Sequence, residues 1–250
     1  MRPLILQGFR IRWDEVPAEC WYRNLESLQN TEEVTFRSPV VLFAGENASG
    51  KSTLLEAIAV AYGFNPEGGS RNYSFSTYDS HANLYEYLTL LRSPGKAEWG
   101  WFLRAESFYN VATKEEDYSR GPGGDPQHYH MKSHGESFLT AMQKNIGGRS
   151  LYLFDEPEAA LSPQAQLTLI LEIHRAVQEG SQFIIATHSP ILLGYPDAQI
   201  FSFDGPLHEC AYEETGSYRI TKLFLERKEQ FLKELLEENM YDETGSDGTR

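Results

Sequence analysis

An α/β fold with a largely parallel central sheet is predicted by three features of this 250-residue chain. "PVVLFAG" (39–45), "SLYLFDEP" (150–157) and "SQFIIATHSP" (181–190) are short apolar runs that end in a turn or in polar residues. That is the pattern of strands buried on both faces. A helical period follows the first run, and a second one separates the other two. Strands alternating with helices in this way build a parallel sheet.

The elements follow in order. "RPLILQGFRIRW" is β-rich and reads as an opening strand. After the strand at 39–45, "KSTLLEAIAVAYG" places Leu54, Leu55, Ile58 and Ala61 at helical spacing, with Gly63 as the stop. Residues 64–82 are loop-like with some strand character, and "AEWGWFLRAESF" (97–108) alternates enough to be another strand. The polar, Gly- and Pro-rich stretch at 112–130 reads as a mobile loop. In "LSPQAQLTLILEIHRAVQEG", Ser162 can cap a helix that Pro163 opens and Gly180 closes. Leu167, Ile170, Leu171, His174 and Val177 are expected to form its apolar face. "AQIFSFD" (198–204) is a further strand, "TKLFLERKEQFLKELLEE" one amphipathic terminal helix, and "TGSDGTR" a disordered tail. No internal repeat is visible.

Composition narrows the function classes. With 22 Lys and Arg against 36 Asp and Glu, the chain carries a formal charge of −14. Such a chain stays in solution and is a poor bulk match to a nucleic-acid backbone, although a local basic groove stays possible. Cys20 and Cys210 lack metal-like spacing and read as reduced thiols. The N-terminus lacks the apolar core of a signal peptide, and no apolar run approaches the roughly 20 residues of a membrane span. A soluble, cytoplasmic protein with no membrane partner is expected.

"GENASGKST" fits G-x-x-x-x-G-K-[ST] with Gly45, Gly50, Lys51 and Ser52, between a buried strand and a helix. In that setting the backbone N–H groups from Asn47 to Thr53 can wrap the β- and γ-phosphates of a nucleotide at a positive helix N-terminus. Lys51 supplies a mobile positive charge, and the Ser52 hydroxyl can hold Mg²⁺. The whole cradle comprises Gly45, Glu46, Asn47, Ala48, Ser49, Gly50, Lys51, Ser52 and Thr53. Asp155 and Glu156 close a second apolar strand, where unpartnered charge is costly. Asp155 can orient the magnesium shell, and Glu156 can accept a proton from an attacking water. His188 ends a third apolar strand, at the sheet edge where ligands gather, and can reach the γ-phosphate.

These motifs in this order resemble the ABC-type ATPases, specifically the soluble stand-alone bacterial branch related to SMC-like proteins but without a coiled coil. The likeness spans about residues 34–203. It implies an ABC-type P-loop core with an N-terminal antiparallel β region, a single domain over 1–240, a helical signature lobe at about 107–148 and a tail at 241–250. It also implies ATP and Mg²⁺ as cofactors, Glu156 as the hydrolytic base and His188 as the switch histidine. "AALS" (159–162) resembles the loop that touches the opposite subunit. Glu106 stands nearest the family's glutamine-loop residue beside the metal, and Tyr22 and Phe36 are the candidates for stacking on adenine.

"SHGES" occupies the place of the family's Ser-Gly-Gly-Gln signature. Ser133 and Gly135 match, whereas His134 and Glu136 depart from it. Ser133 can be a plain helix cap. As a signature, Ser133, Gly135 and Glu136 would instead face the γ-phosphate held by a second copy of the chain. The function expected is ATP hydrolysis that drives a head-to-tail homodimer to act on an unknown effector protein or nucleic acid. The alternatives are a slow-turnover interaction switch and a transporter motor subunit. A small-molecule kinase has no use for "DEPEAALS" together with "THS".

Overall fold

The computed structural model describes residues 3–70, 82–94, 97, 99–104, 140, 143 and 146–244. In chain order the elements are β1 (Leu6–Ile11), β2 (Glu33–Thr35), β3 (Val40–Ala44), α1 (Lys51–Tyr62), β4 (Gly69–Ser70), β5 (Leu88–Arg92) and β6 (Trp99–Arg104). Then come β7 (Ser150–Asp155), α2 (Pro163–Glu179), β8 (Gln182–Ala186), the single turn α3 (Pro190–Leu193), β9 (Gln199–Ser202), β10 (His208–Cys210), α4 (Gly216–Glu226) and α5 (Lys228–Thr244).

Among the described residues, seven strands form the main sheet in the order β10-β9-β3-β8-β7-β6-β4. Its five central strands run parallel, and only the outer strands β10 and β4 pair antiparallel. A second, antiparallel sheet has β1 between β2 and β5. The mostly parallel core and the antiparallel N-terminal region both match expectation. The parallel strands earn their place by composition: every residue of β3, β7 and β8 is buried.

Alternation along those strands separates two cores. Val41 and Phe43 of β3, with Leu151 and Leu153 of β7, face α1 and the small sheet, meeting Leu54, Leu55, Ile58, Phe9 and Leu6. Val40 and Leu42, with Tyr152 and Phe154, face the other way onto Leu169, Ile173 and Ala176 of α2 and Leu192 of α3. Gln182 stitches the sheets together, since its Oε1 accepts from the Ile5 and Leu6 N–H groups at 2.9 and 2.8 Å.

Helix ends follow their sequence signals. Gly63 and Gly180 take left-handed φ values of 108° and 100° and close α1 and α2. Ser162 caps α2 by accepting from Ala165 N at 3.3 Å. The expected face of α2 holds only for Ile170 and Val177, which pack partly buried against the core. Its buried residues are Gln166, Leu169, Ile173 and Ala176, whereas Leu167 and Leu171 are 48% and 59% exposed. Both stripes have a helical period, and the sheet selected the one that closes against Phe183 and Tyr152. The terminal helix is likewise two helices, α4 and α5, broken at Arg227, and the second runs to Thr244.

Gly100 on β6 lies against Phe64. A Cβ there would stand 2.7 Å from Phe64 Cζ and 2.8 Å from the Leu151 carbonyl oxygen. Gly100→Ala is expected to cost about 1–3 kcal/mol through overpacking. The loss should appear as a lower urea midpoint at an unchanged slope.

Candidate nucleotide site

Register brings the candidate residues to one edge. Phe43 pairs with Ala186, Ala186 with Asp155, and Asp155 with Arg104. The carboxyl ends of β3, β8, β7 and β6 are therefore level, at the edge where parallel sheets place their ligands.

The turn from β3 into α1 has the backbone that its glycines permit. Gly45 and Gly50 have φ of 146° and 102°, and Ala48 takes a left-handed φ of 62°. A Cβ at Gly45 would crowd Asp204 Oδ1 and Phe203 Cβ, each at 3.0 Å. Two outside groups brace the turn: Asp204 Oδ1 accepts from Glu46 N at 2.8 Å, and Ser27 Oγ donates to the Ser49 carbonyl at 2.5 Å.

Lys51 is buried, with its ammonium donating to the Gly45 and Glu46 carbonyls at 2.7 and 2.8 Å. Burial pushes its pKa down, and the carboxylates of Glu156, Asp204, Asp155 and Glu158 oppose that shift. The charge is thus stored inside the loop that would receive phosphates. Ser52 Oγ donates to Asp155 Oδ1 at 2.8 Å, and the other carboxylate oxygen of Asp155 lies 3.7 Å from Arg104 Nε. Arg104 also binds Glu56 Oε2 at 2.6 Å. A hydroxyl and a carboxylate meeting at a phosphate cradle are a hard-oxygen donor set suited to Mg²⁺.

Glu156 has a left-handed backbone, φ 49° and ψ 51°, which turns the chain sharply off β7. Its Oε1 lies 3.3 Å from His188 Nε2. Backbone in this region is costly for a non-glycine residue, and such strain clusters at functional sites. A cavity of about 370 Å³ is lined by Asn47 to Thr53, Glu156 and Trp21. Among the described residues, the buried Ser49 Oγ that faces the turn has no hydrogen-bond partner. The cradle, the orphaned hydroxyl and the Ser52–Asp155 pair all fit a magnesium-bound nucleotide.

The expected adenine contacts need correction. Tyr22 is 1% exposed and donates to Asn83 Oδ1 at 2.8 Å, while Phe36 is 3% exposed and packs on Phe9 and Phe201. Neither can present a ring face to a base. Trp21, 56% exposed at the mouth of the cavity, can. The sequence offered the pair "WY" but not which ring turns outward. Arg104, Glu158 and Asp204 were also missed. Each stands at or just beyond a strand's carboxyl end, and that position was the only available signal. Glu106, Ser133, Gly135 and Glu136 lie outside the described residues, as do the loop at 112–130 and most of the lobe expected at 107–148.

Among the described residues, no helix is long and apolar enough to cross a membrane. Two family models match the chain: an AAA domain over residues 22–117, and an AAA domain described as putative AbiEii toxin, Type IV TA system, over residues 137–194. No curated protein matches. Similar solved structures include the SMC head domain from Thermotoga maritima, at 14% identity and TM-score 0.46, covering 83% of this chain and all of that one. Another is an SMC head bound to the C-winged helix domain of ScpA, at 14% and 0.47, covering 85% and 99%. A third is cbiO1 from Clostridium perfringens, part of the ABC transporter complex cbiONQ, at 15% and 0.44, covering 83% and 91%.

Proposed function

We propose that this P-loop ATPase of the ABC and SMC type, an ATP-hydrolysing enzyme, binds Mg-ATP in the cavity beside Trp21 and hydrolyses it within a head-to-tail homodimer. The observation that carries the reading is the convergence of Lys51, the Ser52–Asp155 pair and the Glu156–His188 pair on one phosphate cradle. In this reading the turn from Gly45 to Thr53 wraps the phosphates with its N–H groups, and Lys51 swings from its two carbonyls onto the γ-phosphate. Ser52 and Asp155 would hold Mg²⁺, and Glu106, which lies outside the described residues, is the third proposed ligand. When bound, the ion offsets charge on the phosphate oxygens. Glu156 accepts a proton from the attacking water, whose oxygen displaces ADP from the γ-phosphorus to give ADP and phosphate. His188, 3.3 Å from Glu156, would orient that carboxylate and contact the γ-phosphate.

Trp21 is the proposed stacking platform for adenine. Trp21→Ala should weaken ATP binding by roughly 5- to 100-fold, since a base–aromatic stack is worth about 1–3 kcal/mol. An unchanged affinity in calorimetry would place the base elsewhere.

The partner is a second copy of the chain. Ser133, Gly135 and Glu136 would present a helix N-terminus to the γ-phosphate held by the partner's cradle. Hydrolysis then opens the dimer and moves an effector protein or nucleic acid. Ser133→Arg should leave ATP binding to the monomer intact and block ATP-driven dimerisation and turnover. Mixing it with Lys51→Ala should restore part of the activity, because the heterodimer keeps one intact composite site. Light scattering and a turnover assay read both. Normal dimerisation and turnover by Ser133→Arg would reduce "SHGES" to a helix cap.

A further inference from the structure

We propose that Glu158, a third acid two residues past Glu156, is a positioning residue that sets where His188 stands. The left-handed backbone at Glu156 bends the chain into the one-turn 3-10 helix Pro157–Ala160, which carries Glu158 back beneath the end of β8. There Glu158 Oε1 accepts from Thr187 Oγ1 and from the His188 backbone N–H, both at 2.7 Å. The same oxygen is 3.9 Å from His188 Nε2, which also has Glu156 Oε1 at 3.3 Å. Thr187 Oγ1 in turn accepts from Ser189 N at 3.0 Å, and Ser189 Oγ donates to Gln166 Oε1 at 2.5 Å. The carboxylate thus ties the end of β7 to the corner that carries the histidine.

Burial makes the tie stiff. Thr187 is fully buried, the Glu158 side chain is 12% exposed, and among the described residues Glu158 Oε2 is buried without a hydrogen-bond partner. A buried carboxylate is costly, so this one is held where its two charge-assisted hydrogen bonds are made. Were Glu158 only a cap for the 3-10 turn, it would bond within that turn. Its bonds go instead to the next strand, on the two residues that place the imidazole. The consequence is a fixed His188–Glu156 distance before nucleotide arrives.

This inference rests on the ATPase reading, and the test separates the two. In single-turnover assays with Mg-ATP, Glu158→Ala should lower the rate by about 10- to 100-fold, the range for losing hydrogen bonds to a charged group. The half-saturating ATP concentration should stay within about threefold. Glu158→Gln, which keeps the accepting oxygen, should recover most of that loss. In a His188→Ala background, Glu158→Ala should cost nothing further, because the residue acts through the histidine. The His188 imidazole resonance should shift in Glu158→Ala while those of His174 and His208 stay in place. Should Glu158→Ala not fold, Thr187→Val removes the donor from the other side, and the same predictions apply to it. Multiplying losses in the double variant, a rise in half-saturation alone, or an unmoved His188 resonance would each overturn the proposal while leaving the ATPase reading standing. A wild-type chain that does not turn over ATP would instead overturn that reading.

Discussion

Lys51→Ala is expected to abolish tight ATP binding, weakening it by about 100-fold or more, because hydrogen bonds to a charged group are worth about 1.5–3 kcal/mol each and Lys51 is placed to make several. The structure adds a reason beyond lost charge. Nζ now donates to the carbonyls of Gly45 and Glu46, so its removal takes that donor from Gly45 and leaves Glu46 only the Ser49 N–H at 3.3 Å, inside a turn with left-handed backbone. Loss of order in the turn and loss of the cation act together on phosphate binding. Calorimetric titration with ATP, beside a thermal melt to show that the fold persists, is the measurement. Wild-type affinity in a folded Lys51→Ala protein would sink the phosphate-cradle reading.

Glu156→Gln is expected to keep nucleotide and Mg²⁺ binding and to slow hydrolysis by a factor on the order of 10²–10⁴, the usual contribution of a general base. Gln has the same shape and can adopt the backbone of Glu156 at φ 49° equally well, so the geometry survives and only the proton acceptor is lost. The ATP-bound dimer should then accumulate, visible by light scattering in the presence of Mg-ATP. Turnover at the wild-type rate would make another group the base. His188, at 3.3 Å from Glu156, would be the first to test.

The sequence by itself determined the parallel sheet and the residues at its edge. Buried strands such as "VVLFA" and "SLYLFD" are apolar without alternation, and a chain of that kind can be satisfied only between two covered faces. Gly45, Gly50, Lys51 and Ser52 were legible for a related reason, since the left-handed backbone and the cation impose residue types at a spacing of a few positions. Local constraints leave local marks.

Tertiary structure decided whatever depended on a choice between equally periodic or equally aromatic options. Helix α2 carries two apolar stripes: Leu169, Ile173 and Ala176 are buried in one cluster with Phe183 and Tyr152, whereas of the other stripe Ile170 and Val177 pack against it only partly buried and Leu167 and Leu171 are exposed. Trp21 lies open at the cavity and Tyr22 is buried because the 3-10 turn Trp21–Asn24 directs the Tyr22 hydroxyl onto Asn83, 61 residues away. Glu158 reaches Thr187 across 29 residues, and Arg104 reaches Glu56 across 48. Such pairs leave no period in the chain, because the sheet's parallel register, and not sequence spacing, sets their distance.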